Sequence, residues 1–312
     1  MPELPYGPRK ASRTATYRVR GLAYTVRLWG PEGAPTVVLL HGIRDASATF
    51  QFLVDCMART ARYIAPDWRG HGGSASTGSS DWFHEYLADL DALLETLAPD
   101  APVDLVGHSL GGNVASVYAG LRPERVRRLV SLDAFGTLPV GPAEWPDVLS
   151  RWLRQLRVRP PSRRYDSLAA IAARLTAANH RLPADKALFL AEQLARRLPD
   201  GGYVWRHDAI SRRSTPTLRS LDEWIACWRA IACPALWVGA SDPRPNTVRS
   251  NPDAFARMTD EIGRDSVIVL IDTGHNLHHD APERLAPILD AFLGDAGSTL
   301  APHPVQSLVP LT

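Results

Sequence analysis

The sequence predicts an α/β architecture, a mostly parallel eight-stranded sheet with helices on both faces and a helical cap inserted after the sixth strand. Two observations carry this: short β-rich runs alternate with amphipathic helical patterns, and that alternation stops once, for about 90 residues. The expected strands are Thr16–Arg20, Ala23–Trp29, Thr36–Leu40, Arg62–Ala65, Val103–Val106, Leu129–Leu132, Ala235–Gly239 and Val267–Ile271. The first two alternate apolar and polar residues, as in a hairpin with one solvated face. Later runs such as TVVLL, ALWVG and VIVLI are almost continuously apolar, the pattern of parallel strands covered on both sides. Helices are expected at Thr49–Arg59, Asp81–Leu97, Leu110–Leu121, Asp253–Ile262 and Pro282–Leu293, the last with proline in its first turn, where a missing donor costs little.

Residues 139–229 read as a helical cap, with LAAIAARLTAANHRL and ADKALFLAEQLARRL its clearest helical pieces. They divide a catalytic domain expected over 15–138 and 230–294. Residues 1–14 and 295–312 lack periodicity and are expected to be mobile.

Composition narrows the function classes. Of 312 residues, 45% are hydrophobic and 22% charged, which excludes collagen-like, disulfide-scaffold and wholly disordered chains. The net charge of +2 gives no reason to expect a nucleic-acid partner. It conceals an asymmetry, because Pro139–Ser220 holds 15 basic against 7 acidic residues while the remainder holds 20 against 26. Only Lys10 and Lys186 are lysines, so much of the arginine content reads as genomic coding bias. Three cysteines, Cys56, Cys227 and Cys233, form no paired motif and suit a reducing compartment. The amino terminus has no apolar run resembling a secretory signal, and no stretch approaches the roughly 20 apolar residues of a membrane span. A cytoplasmic protein is the expectation.

The sharpest motif is Gly107-His108-Ser109-Leu110-Gly111, placed between the apolar VDLV and the helical NVASVYAGL. A strand that turns at once into a helix forces the residue between them into a strained conformation, so its neighbours must be small. The arrangement exposes Ser109 Oγ above the sheet edge, at a helix amino terminus. Such a hydroxyl needs a base, and the base needs a carboxylate to orient it. His275, in DTGHNLHHDAPE after the last strand, falls at the same carboxyl edge as Ser109. Asp242, after the seventh strand, is the first candidate for the acid. Asp133, at the end of the sixth strand, is the alternative, and could equally bond turn amides. Asp272 reads as structural, as do His84 and His108. Oxyanion donors are expected from the amides of Leu110 and Ile43, with Gly42 allowing close approach and His41 bracing the loop. His275, His278, His279 and Asp280 match no recognised metal-ligand spacing, so no metal is expected.

The combination resembles an α/β-hydrolase-fold serine hydrolase. The matching pieces are HG at His41–Gly42, PDWRGHGGS at Pro66–Ser74, GHSLGG at Gly107–Gly112, GASD at Gly239–Asp242 and GH at Gly274–His275, in the family's order. PDWRGHGGS and RSLDEWIACWRAIACP resemble the carboxylesterase-like branch, including serine hydrolase-like proteins. A serine at position 109 separates the chain from haloalkane dehalogenase and epoxide hydrolase branches, which place aspartate there. The resemblance implies hydrolysis of a small to medium carboxylic ester through an acyl-enzyme on Ser109, with no cofactor. Trp145, Trp152, Leu153, Phe189 and Tyr203 of the cap are expected either to wall an apolar pocket or to form the cap's own core. The chain also resembles pimeloyl-carrier methyl esterases. In that case the arginines at 151, 154, 157, 159, 163 and 164 would dock an acidic acyl carrier protein, while a solvated face is the plainer alternative. Carbon–carbon hydrolysis of a dienone-type metabolite uses the same triad, and a noncatalytic binding protein is the alternative outside enzymology.

Overall fold

The computed structural model describes residues 6–79, 81–138, 140–158, 161–212, 220–241, 244–262, 266–294 and 306–307. In chain order the elements are β1 (Ser12–Val19), β2 (Leu22–Trp29), β3 (Thr36–Leu40), α1 (Gln51–Cys56), β4 (Arg62–Pro66), α2 (Phe83–Leu97), β5 (Val103–His108), α3 (Leu110–Leu121) and β6 (Val126–Leu132). There follow α4 (Trp145–Leu156), α5 (Leu168–Ala178), α6 (Ala184–Leu194), β7 (Ala195–Arg197), β8 (Tyr203–Trp205) and α7 (Leu221–Arg229). The chain then forms β9 (Ala235–Ala240), α8 (Pro252–Glu261), β10 (Ser266–Ile271), α9 (Leu277–Asp280), α10 (Pro282–Leu293) and β11 (Gln306–Ser307).

The main sheet has the order β1-β2-β4-β3-β5-β6-β9-β10-β11. All eight expected strands are present, and the two-residue β11 adds a ninth, parallel to β10. The β1–β2 hairpin is antiparallel, β2 pairs antiparallel with β4, and every pairing from β4 to β11 is parallel. The apolar runs are explained by two cores. Along β3, Val38 and Leu40 face one cluster, shared with α2, α3, α7 and α8, while Val37 and Leu39 face a second, shared with α1 and α10. Side chains alternate across a strand, so a strand buried on both faces must be apolar at every position.

Three expectations change. The helix expected over Thr49–Arg59 is a 3-10 turn, Ser47–Phe50, followed by α1. It stops at Met57 because the next two amides, Ala58 and Arg59, turn instead to the Asp290 carboxylate at 2.6 and 3.3 Å. Residues 6–14, expected to be mobile, are anchored. Asp55 accepts from the Tyr6 hydroxyl and from the amides of Arg9 and Lys10, and β1 begins at Ser12. Of the expected mobile tail, Gln306 and Ser307 pair with Val269 and Leu270, and the rest after Gly294 lies outside the described residues.

The inserted segment is not uniform. Helices α5 and α6 form small clusters with the β7–β8 hairpin and with Phe52 of the core, while α4 buries no residue. Helix α7, the last element of the 139–229 insertion, packs on the core of the main sheet itself. Its Trp224, Ile225 and Trp228 are buried in the α3 cluster, and Trp228 Nε1 donates to Ser116 Oγ at 3.1 Å. Among the described residues no helix is long and apolar enough to cross a membrane.

Candidate active site

Ser109 lies between β5 and α3 with φ 52° and ψ −116°, a left-handed conformation that L residues hold only when their surroundings impose it. Its amide donates to Leu132 O at 3.0 Å and its carbonyl accepts from Asn113 N at 3.0 Å, which fixes the turn from both sides. The crowding that requires glycine is explicit at Gly111, where a Cβ would stand 2.1 Å from Leu40 O. The Leu110 amide is the first of α3, among those a helix leaves without an internal partner.

The loop after β3 runs beside this elbow. A Cβ on Gly42 would stand 3.2 Å from Ser109 Cβ and 3.0 Å from His108 Nδ1, so any larger residue would push these neighbours back by a few tenths of an ångström. His41 is fully buried and braces it. Nδ1 donates to Gly42 O at 2.7 Å, and Nε2 accepts from Trp68 N at 2.9 Å. Burial lowers its pKa to about 4, so the ring is neutral, as that pattern requires. Ile43, next in the loop, is exposed.

His275 follows β10, and its Nδ1 is 2.6 Å from Asp133 Oδ2. Asp133 sits just past β6 with φ 45° and is buried. Its other oxygen accepts from Ala240 N at 3.2 Å and faces the Arg249 guanidinium at 3.7 Å. The carboxylate is therefore held by three neighbouring elements of the sheet edge. His275 Nε2 accepts from Arg244 Nη1 at 2.9 Å, so the ring carries its proton on Nδ1. His108 Nε2 bonds the His275 carbonyl at 2.9 Å, a structural tie between elbow and histidine loop. Of the two acids considered from sequence, Asp133 meets His275, and Asp242 lies outside the described residues. Asp272 is exposed and pairs with Arg181 at 3.0 Å.

The five cap residues divide. Trp152 packs edge-on against Trp82 with ring centroids 5.9 Å apart, Trp145 is half-buried and Leu153 is exposed. Phe189 packs edge-on against Tyr6 and Phe52, and Tyr203 pairs its backbone with Tyr165 within the inserted segment. The last two serve packing, because α6 and the β7–β8 hairpin need their own apolar contacts to hold together. Two features escaped the sequence. Arg244 stands against His275, although its place in the loop after β9 was a signal that it would share the edge. Asp45 comes near His278 and His279, for which no local signal exists, since the residues are remote in sequence.

A sequence model described as the alpha/beta hydrolase family matches residues 37–288. A serine hydrolase-like protein of Danio rerio is 28% identical over 282 residues, covering 86% of this chain and 84% of that protein. A 2-(acetamidomethylene)succinate hydrolase of Mesorhizobium japonicum is 31% identical over 267 residues, covering 83% and 88%. Among solved structures, the thioesterase domain from the curacin biosynthetic pathway superposes with a TM-score of 0.76 at 26% identity, over 89% of this chain and 99% of that one.

Proposed function

The chain belongs to the alpha/beta hydrolase family, and from that premise we propose that it is a serine hydrolase cleaving a small to medium carboxylic ester through an acyl-enzyme on Ser109. One observation carries the reading: a strained serine elbow on the same sheet edge as a buried carboxylate bonded to a histidine at 2.6 Å. Ser109 Oγ attacks the ester carbonyl while His275 Nε2 takes its proton, once Arg244 has released that nitrogen. Asp133 stays ionised, fixes the tautomer of His275 and stabilises the imidazolium. The amides of Leu110 and Ile43 hold the oxyanion. Collapse of the intermediate breaks the carbon–oxygen bond, and His275 returns its proton to the departing alkoxide. Water, deprotonated by His275, then releases the acid and regenerates Ser109.

Fluorophosphonate labelling together with turnover of esters of graded chain length tests this. Ser109→Ala should lose labelling and reduce turnover by at least about 10⁴-fold. Retained activity in that variant removes the assignment.

A thioester or methyl ester on an acidic carrier protein is the second reading, favoured by the exposed Arg151 and Arg154 on α4 and Arg157 just past its end. Carrier-linked turnover should then fall steeply with salt while a free ester is unaffected. Equal salt effects on both substrates would sink it.

A further inference from the structure

Asp45, His278 and His279 take no part in the proposed acyl transfer, yet they converge on one point. Asp45 Oδ2 lies 3.9 Å from His278 Nε2 and 3.9 Å from His279 Nε2, and the three atoms all fall within 4.8 Å of one another. Both imidazoles are buried, at 0% and 5% exposure. His279 Nε2 has no hydrogen-bond partner, and His278 Nε2 meets the Thr49 hydroxyl at a long 3.3 Å. An unsatisfied buried nitrogen costs about 1–3 kcal/mol, and a cation shared with the Asp45 carboxyl, whose own pKa burial raises to about 7, would satisfy both groups.

We propose that Asp45, His278 and His279 form a three-ligand site for a divalent transition ion of the zinc, cobalt or nickel type, with a fourth position open. Two imidazoles and one carboxylate suit these ions, whereas magnesium and calcium take oxygen shells. Tetrahedral bonds of roughly 2.0–2.1 Å place ligand atoms about 3.4 Å apart, so each histidine needs to close on Asp45 by about half an ångström and the two histidines on each other by up to about 1.4 Å. Burial keeps both rings in the neutral form that coordinates. Lys186 opposes the ion: its ammonium lies 3.5 Å from the His279 carbonyl, though Glu283 at 3.6 Å partly offsets it.

The location gives the site a consequence. Asp45 ends the loop that carries Ile43, and His278 follows His275 by three residues. His278 also packs on His108 with ring centroids 4.5 Å apart, and His108 holds the His275 backbone. An ion that draws Asp45 toward α9 therefore pulls the oxyanion loop against the histidine loop and slows ester turnover. That effect rests on the acyl-transfer reading, while the binding itself does not.

The experiment uses the full-length chain freed of metal by a chelator, titrated with Zn²⁺ by calorimetry and with Co²⁺ by visible absorption. One equivalent should bind, with the intense bands of low-coordinate cobalt. Asp45→Asn and His279→Gln should each weaken binding at least tenfold, Lys186→Met should tighten it, and His84→Gln, at an exposed position of α2, should leave it unchanged. Thermal denaturation supplies a second readout: zinc should raise the Tm of the wild type and not of His279→Gln. Absence of one-equivalent binding by the wild type, or an unchanged affinity in His279→Gln, overturns the site. Ester turnover should fall on zinc addition in the wild type and not in His279→Gln, and unchanged turnover with metal bound overturns the coupling. If no ester is turned over at all, calorimetry still decides the site and only the acyl-transfer reading fails.

Discussion

The parallel sheet and the inserted α4 handle their apolar side chains in opposite ways. Leu39 and Leu40 are adjacent, face opposite sides of β3, and are exposed by only 2% and 0%. On α4, Leu153 remains 52% exposed and no residue is buried, although the helix has a well-separated apolar side. The core fixes backbone positions from both faces, which is what holds Ser109 at φ 52° and Asp133 at φ 45°. Helix α4 has no such constraint, so its sequence and position can vary at little cost in stability. Under the proposed function, chemistry falls to the first region and selection among substrates to the second.

The comparison breaks first at the carboxylate. If the core sets the chemistry, Asp133→Asn should cut kcat by about 10³–10⁴-fold with the fold intact, because His275 loses the partner that fixes its tautomer. Asp242→Asn should cost less than tenfold, and the reverse order of the two losses would transfer the acid's role to Asp242. Next comes stability. Trp228→Ala removes a fully buried ring and its bond to Ser116, and should cost about 3–5 kcal/mol in urea unfolding. A cost below 1 kcal/mol would mean that α7 is as loosely held as α4.

Acid should unsettle the core through its buried histidines. His41 has an ordinary pKa of 6.5, lowered to about 4 by burial, so between those values the unfolded chain binds the proton that the folded chain refuses. Its contribution is complete above pH 6.5 and is lost as the pH falls to about 4, amounting to about 3 kcal/mol. His71, lowered to about 3, acts in the same direction. Urea midpoints should therefore fall between pH 7 and 4.5, with a shallower slope in His41→Gln; parallel slopes would contradict this. The smallest effect belongs to the cap: Leu153→Ala should change stability by less than about 0.5 kcal/mol while shifting KM among esters of different chain length. A loss of more than 2 kcal/mol would show that α4 is held as firmly as the core.

The serine elbow was legible because its signal is local. VDLV, two glycines and NVASVYAGL lie within one short stretch, and strand, turn and helix each leave their own pattern. The two-faced burial of β3, β5 and β9 was legible for the same reason, as continuous apolar runs. The limits of the inserted segment were less so, since α7 is amphipathic like its neighbours and only its tertiary contacts with α3, α8 and Trp237 of β9 attach it to the core. The anchoring of Tyr6, Arg9 and Lys10 by Asp55 was not legible, because it rests on hydrogen bonds to a residue about 45 positions away.

By itself the sequence determined the alternation of strands and helices, the parallel sheet, the place of Ser109 and the loop that carries His275. Periodicity and turn chemistry act over a few residues, and these features need nothing more. The tertiary structure decided which carboxylate meets His275 and which side chains surround His278 and His279. Asp133 reaches His275 because β6, β9 and β10 lie side by side and parallel, bringing the ends of non-consecutive elements to one edge. Asp45 reaches the histidines because the loop after β3 and α9 are packed together at that edge. Such meetings depend on strand order and helix packing, which no local pattern of residues records.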